Sequence, residues 1–169
     1  MSNISTIPSI TYKVECGTER GTAFFVDVNR LLTAFHVVGS ALNGNSIYVE
    51  IEEKEYECEL TIVKHGKDIA ILKLKDVAVS HKYGSLLSMP IEAKTHFRFW
   101  GYPSTLIGQA AGQSVKIRVD ETYKALNGDF DAYAVFEDEK HLTEYAGFSG
   151  SPVYTDGDKI IGIVTNILD

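Results

Sequence analysis

The stretch GFSGSPV, residues 147–153, sets Ser149 between Phe148 and Gly150, two residues after Gly147. It has two readings. Gly, Ser and Pro are the usual turn residues, so it fits a surface turn. It equally fits a nucleophile, because glycine lets a backbone N–H face a developing oxyanion. A serine hydroxyl attacks well only when a base takes its proton. The base is usually a histidine whose tautomer is fixed by a carboxylate. His36 and Asp68 suit those parts. His36 stands in LLTAFHVVG, a titratable ring within an apolar run, and Asp68 in HGKDIAILKL, directly before an apolar segment. Taken singly, His36 also reads as a hydrogen-bonded core histidine, and Asp68 as an ordinary strand-start aspartate.

The order of the three residues separates the folds that could host them. An α/β-hydrolase runs serine, acid, histidine. No histidine follows Ser149, the last being His141, and the stretch lacks the final glycine of G-x-S-x-G. An Asp-His-Ser order could be forced with Asp27, but it needs alternating helices and strands. The order His, Asp, Ser belongs to a double-barrel arrangement.

The elements that must position these residues are strands. Period-two alternation dominates the first half: SITYKVEC alternates, RGTAFFVDV is an apolar run with β-formers, and NRLLTAFHVV, SIYVEIE, YECELTIVK and DIAILKL follow. EEKE, after SIYVEI, reads as a hairpin turn, and a short helix is expected around His36 to Leu42. THFRFWGYP, QSVKIRVDE, DAYAVFED, SGSPVYT and KIIGIVTNI follow in the second half. Closely spaced short strands with turn signals indicate an all-β barrel or sandwich. Two lobes are expected, at residues 1–78 and 91–169, joined by a connector at 79–90.

Composition narrows the function. The 169 residues carry a formal net charge of −7, the opposite of a nucleic-acid footprint. Cys16 and Cys58 share strand parity with apolar neighbours and read as buried thiols, too few for the disulfide framework of a small secreted domain. The start MSNISTIPSITYK lacks the pattern of a signal peptide, and no apolar run approaches the length of a membrane span. A soluble, cytoplasmic protein is expected. The acidic group Glu50, Glu52, Glu53, Glu55, Glu57 and Glu59 reads as solvated strand faces. GQAAGQS, residues 108–114, is neither a dinucleotide fingerprint nor a P-loop. No cofactor and no metal are expected.

Four stretches carry a family resemblance. GTAFFV…LLTAFHVV, KDIAILKL, GFSGSPV and KIIGIVT resemble the blocks of trypsin-like (chymotrypsin-fold) serine peptidases, in the style of the bacterial HtrA-like and related short peptidases. WGYP, residues 100–103, is supportive. The resemblance implies two antiparallel β-barrels. It implies His36 as general base, Asp68 as orienting acid and Ser149 as nucleophile, with the N–H groups of Gly147 and Ser149 as the oxyanion hole. It implies a serine endopeptidase acting on polypeptides through an acyl-enzyme. The loop of residues 140–147 then lines the substrate pocket with Thr143, Glu144, Tyr145 and Ala146. Thr165 matches a position where relatives place a small hydroxyl beside the acid. No aspartate there implies a basic P1 preference.

The chain departs from the family at two points. Relatives activated by cleavage place an aspartate before the nucleophile to hold a new N-terminal ammonium. Here that residue is Phe148, so no such activation is expected. The sequence also stops just after IIGIVTNIL, before the strand that closes the second barrel in relatives. The expectation is the protease domain of a larger bacterial protein, or one completed by a regulatory domain or partner. The alternatives are a catalytically silent trypsin-fold protein-binding module and an esterase using the same triad.

Overall fold

The computed structural model describes residues 4–76, 80–103, 112–124, 130–137 and 146–167. The first lobe contains β1 (Thr11–Cys16), β2 (Glu19–Phe25), β3 (Arg30–Ala34), β4 (Ile47–Ile51), β5 (Lys54–Lys64) and β6 (Ile69–Leu74). They close as an antiparallel barrel in the order β1-β2-β3-β6-β5-β4, with β4 pairing back onto β1. Alternation decides what fills it: Val14, Ala23, Phe25, Leu31, Val49 and Leu72 point inward and are almost wholly buried. Helix α1 (Phe35–Val38) and a 3₁₀ turn, Gly39–Asn43, follow β3, where the sequence places a short helix. The β4–β5 hairpin turns on Glu52 and Glu53, whose φ angles are +50° and +64°. Positive φ at both central residues is the turn form whose twist matches the flanking strands. Asp27, the acid that an Asp-His-Ser order would need, lies instead in the β2–β3 turn. It accepts the N–H groups of Asn29 and Arg30 at 3.0 and 2.9 Å.

Cys16 and Cys58 are free thiols inside the barrel. Each stands beside Ile47 across a strand pair. Burial pushes the Cys58 thiol up to about 12. Only a thiolate reacts quickly with alkylating agents. Because both thiols are buried, iodoacetamide at pH 8 should leave both intact in the native protein and modify both in guanidinium. Rapid native modification, followed by intact mass, would contradict this packing.

The second lobe is an open six-stranded sheet, in the order β10-β9-β8-β11-β12-β7. Its strands are β7 (Ser85–Leu86), β8 (His96–Gly101), β9 (Gln113–Lys124), β10 (Phe130–Phe136), β11 (Pro152–Tyr154) and β12 (Lys159–Ile163). Where the resemblance implies a second barrel, this sheet does not close among the described residues, and β10 and β7 are its edges. The two-residue β7, within the stretch between the lobes, pairs parallel to β12. Its brevity explains why alternation does not reveal it.

β2 ties the lobes together. Gly21 to Phe25 are all buried. A strand covered on both faces reads as a continuous apolar run instead of an alternation. Phe25 fills the barrel, while Phe24 joins Ile7, Ile10, Tyr154 and Ile160 in a second cluster between the lobes. Removing a ring of this kind costs on the order of 3–5 kcal/mol. The N-terminal segment is held to the second lobe by Asp158, which accepts the Ser5 hydroxyl at 2.8 Å and the Thr6 N–H at 2.7 Å. Among the described residues, no helix is long and apolar enough to cross a membrane.

Candidate active site

His36, Asp68 and Ser149 converge at the cleft between the lobes, brought there by three different elements. His36 lies in α1, where the barrel chain leaves β3. Asp68 ends a 3₁₀ turn, His65–Lys67, immediately before β6, with φ of +52°. Aspartate is one of the few non-glycine residues that tolerate this region. Ser149 lies in the turn leading into β11.

Asp68 fixes His36 through backbone and side chain together. The Asp68 carbonyl accepts the Phe35 N–H at 2.9 Å. Its Oδ1 accepts the His36 N–H at 2.8 Å, and its Oδ2 faces His36 Nδ1 at 2.6 Å. α1 has no side-chain cap of its own, so Asp68 satisfies two of the N–H groups that every helix start leaves open. An ionised carboxylate can only accept, which assigns the ring proton to Nδ1. Nε2 then keeps its lone pair and lies 3.0 Å from Ser149 Oγ, within reach for proton transfer.

The Ser149 turn is shaped by glycine. Gly147 and Gly150 have φ of +97° and +89°, a region open to glycine at no steric cost. The Gly150 N–H is taken by the Val164 carbonyl at 2.7 Å, and the Ser151 N–H by the Phe148 carbonyl at 2.9 Å. The N–H groups of Gly147 and Ser149 donate to no described residue. Successive backbone N–H groups in such a turn form a concavity suited to an anion.

Phe148 is fully buried and stacks edge-on against Phe99, with ring centroids 5.1 Å apart. Val115, Ile117, Val119 and Phe97 are the other buried members of this apolar cluster. A buried ammonium would find no charged partner in it, and an unpaired buried charge is costly.

Of the expected pocket residues, Ala146 is exposed at the start of the turn, while Thr143, Glu144 and Tyr145 lie outside the described residues. Thr165 approaches through its backbone: its carbonyl is 3.5 Å from Ser149 Oγ.

The support behind the turn is where sequence reasoning falls short. Thr22 and Thr33 are fully buried, and the Thr33 hydroxyl donates to the Thr22 carbonyl at 2.8 Å. The Thr22 hydroxyl crosses the cleft to the Gly147 carbonyl, also at 2.8 Å. One signal points to Thr22. A hydroxyl in a strand buried on both faces must find a partner, since buried polar groups are hydrogen-bonded. Gly101, in the WGYP stretch, leaves room for Phe148, Thr22 and Ser151 to pack against its backbone.

This frame is that of a peptidase fold. The family described as trypsin-like peptidase domain matches residues 21–163, and the chain belongs to it. No curated protein matches the sequence. Among solved structures it is similar to the active form of the Rv3671c protease from M. tuberculosis. Identity is 20%, covering 96% of this chain and 72% of that one, at a TM-score of 0.71. The inactive form of the same protease gives 20% identity over 95% and 78%, with the same TM-score of 0.71. Deg5 gives 16% identity over 96% and 81%, at 0.74. These identities establish the fold alone. The equal likeness to active and inactive forms leaves the residues of the cleft to carry any functional reading.

Proposed function

We propose that this chain is a serine endopeptidase in which Ser149 is the nucleophile, His36 the general base and Asp68 the residue that orients the base. The observation that carries the reading is the alignment of Asp68, His36 and Ser149 through contacts of 2.6 and 3.0 Å, beside two N–H groups without described partners. His36 Nε2 takes the Ser149 proton as Oγ attacks the scissile carbonyl. The carbonyl oxygen moves into the concavity formed by the Gly147 and Ser149 N–H groups. The protonated ring then gives its proton to the leaving amine, and an acyl-enzyme remains. Water, deprotonated by the same ring, releases the acid and restores Ser149. No metal or cofactor enters the proposal.

The buried Phe148 supports a turn that needs no N-terminal insertion to form. The open edges of the second sheet support a further part of the proposal, that a regulatory domain or partner strand covers one of them, since exposed edges template pairing. The substrate class is polypeptide. The residues that set P1 preference belong to the loop ending at Ala146 and to the stretch around Thr165.

Hydrolysis of fluorescein-labelled casein across pH 4 to 9 tests the reading. Turnover should be present near neutrality and vanish toward acid pH, because a protonated His36 cannot accept the Ser149 proton. A rate that stayed flat well below pH 5 would remove His36 from the role of base.

Asp68→Asn tests the orienting role. If the asparagine oxygen keeps the His36 N–H, its amide NH₂ faces Nδ1. Nδ1 must then accept, and the ring proton moves to Nε2, opposite Ser149. The expected loss in kcat is about 10⁴-fold, with little change in KM. A loss below about tenfold would show that Asp68 does not set the tautomer.

A further inference from the structure

We propose that Thr22 is a positioning residue for the oxyanion-binding N–H groups of Gly147 and Ser149. The proposal rests on the peptidase reading above and concerns the same site. Thr22 lies in β2 of the first lobe, 125 residues from the turn it grips. It does not reach the position of a reacting carbonyl. It acts on the chain that carries the donors.

The grip has two ends. The Thr22 N–H donates to the Ser149 carbonyl at 2.8 Å. The Thr22 hydroxyl donates to the Gly147 carbonyl at 2.8 Å. The Tyr102 N–H also donates to the hydroxyl oxygen, at 3.2 Å. The Gly147 carbonyl carries no proton, so the hydroxyl is the donor between the two. Behind it, the Thr33 hydroxyl holds the Thr22 carbonyl at 2.8 Å. Thr22 is fully buried, so water does not compete for these bonds.

Peptide geometry turns this grip into a constraint on the donors. Thr22 holds the peptide planes that follow Gly147 and Ser149. The Ser149 N–H lies on the plane between those two. The Gly147 N–H lies on the plane just before them, joined through a glycine at φ of +97°. Glycine offers little intrinsic resistance to rotation. Without the hydroxyl, the peptides on either side of Gly147 can turn, and the donors lose their shared aim. Preorganised donors matter because they need no reorganisation as the oxyanion forms.

The test compares wild type with Thr22→Val, Thr22→Ala and Thr22→Ser, using a rhodamine-linked fluorophosphonate. In the labelling step Ser149 Oγ bonds to phosphorus, fluoride leaves and the Ser149 proton passes to His36. The phosphoryl oxygen develops charge where a substrate oxyanion would. Thr22→Val and Thr22→Ala should label about 10- to 100-fold more slowly, somewhat less than the cost of deleting an oxyanion donor outright. Thr22→Ser keeps the donor and should label within about threefold of wild type. Amide hydrogen exchange, read by NMR, should quicken at Gly150 and Ser151, whose N–H groups are hydrogen-bonded in the turn, in the valine and alanine variants and not in the serine variant.

The alanine variant covers the case in which valine fails to fold. Labelling at the wild-type rate in the alanine or valine variant would overturn the proposal. So would a slow rate that serine does not rescue, or exchange that quickens evenly along β2 and not at the turn. If wild type itself does not label, the peptidase reading fails. The exchange pattern then still decides whether Thr22 positions the turn.

Discussion

Ser149→Ala should lower kcat by about 10⁶-fold, in line with loss of the nucleophile in a triad that acts as one unit. The variant loses a single oxygen. In the folded protein that oxygen meets His36 Nε2 at 3.0 Å and the Thr165 carbonyl at 3.5 Å. The buried apolar contacts between the lobes, Phe24 with Tyr154 and Ile160 among them, are untouched, so the melting temperature should move by no more than a few degrees. His36→Ala should give a loss of similar size, and the double variant little more than either alone. Hydrolysis of a peptide library before and after each substitution, with circular dichroism as the fold control, measures all three. Additive losses would mean that Ser149 and His36 act in separate steps. An alanine variant that kept more than about 1% of wild-type turnover would place the nucleophile elsewhere, since removing it from a working triad costs far more.

Gly150→Ala should unfold the site and weaken the whole molecule. Gly150 has φ of +89°, a conformation that costs an L-residue about 1–2 kcal/mol. An added Cβ would stand 3.0 Å from the Ala34 nitrogen and closer still to the Thr22 carbonyl oxygen and Thr33 Oγ1. Those atoms lie on β2 and β3, the strands that lead to His36. Overpacking of this kind costs about 1–3 kcal/mol. The combined loss of about 3 kcal/mol should lower the melting temperature by about 6–12 °C in a domain of this size. Turnover should fall by more than stability requires, because backing Ser149 away from β2 also moves it from His36. An alanine variant with wild-type melting and turnover would show that the lobes do not meet as closely as described.

The residues differ in how far the sequence announces them. His36, Asp68 and Ser149 each stand where an apolar β segment begins or ends, and their order along the chain admits few folds. Alternation also gives most strands of the first barrel, because one face of each is dry and the other wet. Gly147 and Gly150 are visible as glycines, since no other residue takes φ near +90° so readily.

Other features are illegible for physical reasons. Thr22 sits in GTAFF, where burial on both faces erases alternation, and its partner Gly147 is remote in sequence. The Glu52–Glu53 turn is legible as a break in alternation, but its positive φ is not, because it uses none of the glycine or asparagine that advertises it. β7 has two residues, too few for any period. Thr165 illustrates a further limit. Its side chain suggests a hydroxyl beside the acid, while its contact with Ser149 is made by a carbonyl that every residue possesses.

The central claim is that Ser149 is activated by His36 and Asp68. The most direct measurement is to treat the protein with a fluorophosphonate, digest it and locate the adduct by mass spectrometry. One adduct is expected, on Ser149, lost in Ser149→Ala and in His36→Ala. An unlabelled wild-type protein, or an adduct on any other residue, would contradict it.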